Sequence, residues 1–149
     1  RQEALDLFVE VLKPLAEHAE KVGVLLLIEP EPELLLERTD QYVELADRVG
    51  SPALGLNFDV GHAYCMSEDL PKAIAALALY TRHYHLEDIA ATRVHHHLPP
   101  GDGAIDFAEV IAAIRKTGYD GWLTVELYPS QEKPDEAARQ AYNVLKPLI

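Results

Sequence analysis

Glu29, Asp59, His85 and Glu126 are the residues of this 149-residue chain whose types could do chemistry together. Three carboxylates and one imidazole form a hard, mostly oxygen donor set, suited to one divalent ion: Mn²⁺, Mg²⁺, Co²⁺ or Zn²⁺. Crowded together without a cation, three acids would repel one another and raise at least one pKa. A bound cation removes that repulsion. Taken singly, each acid reads equally well as a helix cap or a loop-edge charge. Their position argues otherwise, because each lies at or near the C-terminal end of a different apolar run.

The elements that must place them alternate. Apolar residues at Leu5, Phe8, Val9, Leu12, Leu15 and Ala16 predict a helix over 3–22, stopped by Gly23. Val24 to Ile28 is a continuous apolar run, as expected of a strand buried on both faces, and it leads into Glu29 and Pro30. The pattern repeats: helix over 39–49 closed by Gly50, strand 54–58 ending at Asp59, helix 70–79, strand 82–86 ending near His85. It closes with helix 107–116, strand 122–127 carrying Glu126, and helix 135–149. Strands alternating with helices of this length predict βαβ units and a parallel sheet of about four strands in one domain, 1–149. Parallel strands put all their C-terminal ends on one face, where a (β/α)₈ barrel carries its active site. Neither GxGxxG nor GxxxxGK[ST] is present to hold a nucleotide at a first turn.

Other candidates are weaker. His62, three residues after Asp59 in NFDVGHAYC, fits a second metal ligand, a substrate hydrogen-bond donor or a structural histidine. Arg93 fits contact with an anionic or polyhydroxyl substrate, or a surface salt bridge. In His95-His96-His97 three adjacent residues cannot all face one ion, and the following LPPGDG is loop composition, so at least two of the three are expected in solvent. Glu87 and Asp88 read as residues that hold the loop after His85. Trp122 and Tyr119 read as core, Tyr64 and Tyr128 as pocket-lining, and Cys65 as structural.

The formal net charge of −12 repels phosphate backbones, and no Lys or Arg run offers a basic groove, so nucleic acid is not an expected partner. The longest apolar run is too short to span a bilayer, so a membrane is not expected either. A lone cysteine excludes an internal disulfide, and nothing at the start reads as a secretory leader. A cytoplasmic location is expected.

LLLIEPEP, LGLNFDVGHAYC, YHLEDI and HLPPGDGAIDFAEVIAAIRKTGYDGWLTVELYP together resemble the xylose isomerase-like TIM barrel superfamily, closest in texture to its sugar (phosphate) isomerase/epimerase branch. The resemblance implies that the chain is the C-terminal half, about four strands, of a TIM barrel. It implies a divalent metal held by Glu29, Asp59, His85 and Glu126. It further implies that Glu29 and Glu126 form the acid/base pair through which a small sugar, sugar phosphate or polyol-derived substrate is isomerised or epimerised via an enediolate, with His62 and Arg93 on substrate hydroxyls. Members carry four further βα units, so a homodimer or a missing N-terminal half-barrel is expected to complete the barrel. Two other readings follow: an incomplete, non-catalytic barrel needing its partner half, and a metal-dependent phosphodiesterase like the endonuclease IV branch, where His95 and His97 fall near extra metal ligands.

Overall fold

In the computed structural model, which describes residues 1–149, four strands run parallel in the order β1 (Leu26–Ile28), β2 (Leu54–Asp59), β3 (Thr81–Leu86), β4 (Leu123–Val125). Helix α1 (Gln2–Val22) precedes β1. Helices α2 (Gln41–Val49), α3 (Val60–Cys65), α4 (Leu70–Ala76), α5 (Phe107–Lys116) and α6 (Pro134–Leu145) follow in chain order. The strands are neighbours in the sequence in which they occur, as in a segment of a (β/α)₈ barrel. The fold class is α/β, with parallel repeats making half of such a barrel.

Local chemistry sets the boundaries. Gly23 and Gly50 take left-handed conformations, φ 73° and 69°, and their N–H groups cap the last carbonyls of α1 and α2. Asp59, Asp69 and Asp106 cap α3, α4 and α5, each accepting the N–H three residues on. Asp59 is thus both a strand end and a helix cap.

Alternation along the strands divides the sheet into two faces. Leu54, Leu56 and Phe58 of β2 and Tyr84 and Leu86 of β3 point at the helices and form the centre of a core with Tyr42, Leu45, Ile74 and Val110. The opposite face carries Asn57, His83, His85 and Thr124, with His83 Nε2 and Thr124 Oγ1 2.8 Å apart. The β2–β3 register slips once, between Leu56 and Asn57.

Several expectations need correction. Strand β1 covers only Leu26–Ile28, and Val24, Leu25 and Leu27 are 51%, 51% and 38% exposed rather than buried on both faces. Val24 and Leu25 precede this edge strand, and Leu27 points to the sheet face away from the helices, while Leu26 and Ile28 pack against the core. Trp122 stands 82% exposed beside the other edge strand and is not core. Helix α1 likewise carries a second apolar stripe, Leu7, Val11 and Leu15, that faces solvent. Helix α3 falls where the periodicity predicts no element, and it forms because Asp59 caps it.

Candidate metal centre

Each of the four strand ends delivers one side chain to a common point: Glu29 just after β1, Asp59 ending β2, His85 in β3 and Glu126 just after β4. One ligand-type atom from each lies within 4.8 Å of the other three. Neighbouring strands are ~4.8 Å apart, so the outer pair of a flat sheet would be ~14 Å apart. Sheet curvature closes part of that span, and the outer positions carry the longer acid, glutamate, while the inner one carries aspartate.

The polar atoms here suit a cation. His85 Nδ1 is 2.9 Å from Glu29 Oε1, 3.4 Å from Glu126 Oε2 and 4.0 Å from Asp59 Oδ2. Despite the first distance, Glu29 Oε1, Asp59 Oδ2 and His85 Nδ1 are all buried without an aligned hydrogen-bond partner. Buried polar atoms are ordinarily satisfied, so three unpaired donor atoms around one point fit a metal ion. The residues present therefore suit the cation that the composition of the set suggests.

Electrostatics without the ion are strained in the expected way. Burial pushes Asp59 up to about 7, opposed by contact with the Glu87 carboxyl and by the His62 N–H that its Oδ1 accepts at 2.6 Å. Burial also raises Glu29, but His85 outweighs it and leaves that carboxyl below its ordinary value. Contact with Glu29 raises His85. A divalent ion would reverse the penalty on Asp59.

His62 is 4% exposed, and its Nδ1 lies 3.1 Å from the Pro30 carbonyl oxygen. A carbonyl only accepts, so Nδ1 carries the proton and Nε2 presents a lone pair. Burial lowers its pKa to about 4, keeping the ring neutral. His62 can therefore accept a hydrogen bond or bind a cation at Nε2, but not donate there.

The histidine run corrects the expectation of a solvated loop. His95 and His97 are two apart in an extended segment and lie on one side, where their Nε2 atoms are 3.1 Å apart. With His62 they form a second grouping that could hold a cation. Only His96 is left exposed. The alternating spacing was the available signal. The segment is pinned where Asp88 and Leu98 exchange backbone hydrogen bonds of 2.8 Å. Tyr128 packs against His97 with the rings tilted by 59°, centroids 4.7 Å apart.

Asp88 holds this loop as expected: its side chain accepts the N–H of Ile89, Gly101, Gly103 and Ile105. Glu87 does not. It points inward, fully buried, and burial pushes its carboxyl well above the ordinary range. Arg93 stays outside the group of four; its guanidinium lies 4.2 Å over the Tyr64 ring and donates to the Tyr64 carbonyl. Tyr119 is half-buried against Tyr84, and Cys65 is a free thiol.

A parallel half-barrel with metal-type ligands at the C-terminal ends of its strands defines the class: a TIM barrel with a metal-type centre. The profile of the xylose isomerase-like TIM barrel family matches residues 1–148, and the chain belongs to that family. It is 31% identical to fructoselysine 3-epimerase of Escherichia coli O157:H7 over 145 residues, 94% of this chain and 52% of that protein. It is 26% identical to inosose dehydratase of Geobacillus thermodenitrificans over 163 aligned residues, 97% of this chain and 55% of the relative. Among solved structures, the IolI protein with a bound zinc atom superposes with a TM-score of 0.79 at 24% identity, covering 94% of this chain and 54% of that one. The chain spans about half the length of the relatives it matches. Enzymes acting on sugars and related polyols, by isomerisation, epimerisation or dehydration, are thus its relatives.

Proposed function

We propose that this chain is the metal-binding, acid/base half of a divalent-metal-dependent isomerase or epimerase acting on a small sugar, sugar phosphate or polyol-derived substrate. The observation that carries the reading is the convergence of Glu29, Asp59, His85 and Glu126, with donor atoms of the first three buried and unpaired. One ion, Mn²⁺, Mg²⁺, Co²⁺ or Zn²⁺, suits this set, and the zinc in the IolI protein supports it. Such an ion polarises a substrate carbonyl and acidifies the neighbouring C–H.

The remaining work falls to side chains. Glu29 and Glu126 come from the two outer strands and approach a bound substrate from different sides. One removes the proton next to the carbonyl, giving an enediolate. The other, arriving protonated, returns a proton to the opposite face for epimerisation or to the adjacent carbon for isomerisation. Glu29, held ionised by His85, suits the base. His62 Nε2 accepts a substrate hydroxyl, and Arg93 offers its free N–H groups at the rim.

Small-molecule chemistry suits the net charge of −12 better than nucleic acid does. That charge also counts against the phosphodiesterase alternative, which the His62–His95–His97 grouping would otherwise favour. No helix is long and apolar enough to cross a membrane, and a cytoplasmic site of action is part of the same proposal. Activity also calls for a closed barrel. Helices already flank both β1 and β4, so closure needs four strands with three helices between them. A second copy would have to displace a helix at each junction, which favours a distinct half-barrel as the partner.

The test is calorimetric titration of Mn²⁺ into the metal-stripped chain, with Glu126→Gln as control. One ion per chain, bound more weakly by the variant, is expected. Absence of saturable binding would remove the metal reading for this half.

A further inference from the structure

Glu87 is a buried acid that the proposed chemistry does not use. It is 0% exposed, and neither carboxyl oxygen has an aligned hydrogen-bond partner, although the Asp59 carboxyl lies close enough to raise it. Burying a carboxyl this way is costly unless its surroundings use it. Its surroundings are specific. One oxygen is within 4.8 Å of ligand-type atoms of both Asp59 and His62, and Glu87 stands in the same relation to His97 and Glu126.

The backbone makes room for it. Gly61 lies inside α3, where glycine weakens a helix. Its φ is not left-handed, so conformation does not require glycine there. Space does: a β-carbon on Gly61 would fall 2.6 Å from Glu87 Cδ and 3.0 Å from Cγ, and closer still to Oε1. Glycine at 61 and glutamate at 87 thus fit one another. Gly61, with Val60, spans the turn between the Asp59 cap and the His62 N–H that Asp59 Oδ1 accepts.

We propose that Glu87, seated on Gly61, is a positioning residue that sets the aim of the Asp59 carboxylate and the seat of His62. The proposal rests on the metal-centre reading above. Without the wedge, α3 would settle toward β3 and turn Asp59 Oδ2 away from the common point.

The test uses Glu87→Gln, Glu87→Ala, Gly61→Ala and the double variant Gly61→Ala/Glu87→Ala in the full chain. Mn²⁺ affinity, the electron paramagnetic resonance spectrum of bound Mn²⁺ and the ¹⁵N–¹H shift of the His62 amide in the metal-free protein are read. Glu87→Ala and Gly61→Ala should each weaken Mn²⁺ about tenfold, the usual effect of losing a group that orients a ligand, and each should move the His62 amide. Glu87→Gln keeps the shape and should stay within about threefold of the parent. The double variant should be no worse than Glu87→Ala, because the added methyl then enters vacated space. Parent-like affinity and spectra in Glu87→Ala, or penalties that multiply in the double variant, would overturn the proposal. A purely structural role would lower the melting temperature while leaving the bound-Mn²⁺ spectrum and the His62 amide in place. If Glu87→Ala does not fold, Gly61→Ala against Glu87→Gln carries the comparison. Should the parent chain bind no Mn²⁺, the metal reading fails, and the His62 amide alone decides: unmoved in Glu87→Ala and Gly61→Ala, it overturns the positioning role as well.

Discussion

Glu29 and Glu126 stand at the ends of the two outermost strands of the sheet, yet they offer ligand atoms within 4.8 Å of each other, with His85 Nδ1 2.9 Å from the first and 3.4 Å from the second. Three strand spacings are crossed by sheet curvature and by the extra methylene of each glutamate. Shortening either outer acid should therefore do more harm than its loss of chemistry alone. Glu126→Asp keeps the carboxylate but should weaken Mn²⁺ binding at least about tenfold. Calorimetry showing unchanged affinity would mean that reach does not matter here.

His85 and His62 are expected to part company under substitution. His85→Ala removes a side chain at the centre of the four and should weaken Mn²⁺ binding by about 100-fold, while His62→Ala should cost less than about tenfold. The reverse order in the same titration would place His62 in the metal centre and His85 outside it.

Asp59 should leave a mark on the pH dependence of stability in the metal-free protein. Its carboxyl is raised by burial from 3.8 to about 7 in the folded state. The folded form then holds the proton over a range where the unfolded form has lost it. Stability from this group is fully present below about pH 4 and is lost as pH rises toward 7. Urea titrations across that window should show a falling contribution that Asp59→Asn abolishes. Added Mn²⁺ should oppose the fall. A slope identical in Asp59→Asn would assign the effect to other groups.

Asp88 accepts four backbone N–H groups while 1% exposed. Asp88→Ala leaves the buried Ile89 and Ile105 donors unpaired and frees the Gly101 and Gly103 turn, and a loss of about 3 kcal/mol is expected. Limited proteolysis should then open the 91–105 loop before the rest of the chain. An unaltered cleavage pattern would show that the Asp88–Leu98 backbone pairing suffices to hold it.

Trp122, the only tryptophan, reports on barrel closure. At 82% exposed, its emission in the isolated chain should be that of a solvated indole and readily quenched by acrylamide. A blue-shifted, protected signal for the chain alone would mean that copies of the chain already cover the β4 edge.

Much of this protein was legible in one dimension. Apolar runs ending in Glu29, Asp59, His85 and Glu126 located the strands and the face on which those four would meet, because parallel strands align their C-terminal ends. Gly23 and Gly50 marked where the first two long helices stop. These are local properties, set by propensity, capping and alternation. What the tertiary structure decided were matters of direction and cover. Val24, Leu25 and Trp122 look like core in sequence, but burial depends on a neighbouring strand, and these edge strands have none on their outer side. Glu87 and Asp88 are adjacent and chemically alike, yet pleating sends one into the centre and the other into the loop. His95 and His97 join His62 because Leu98 pairs with Asp88, a long-range contact that composition cannot show.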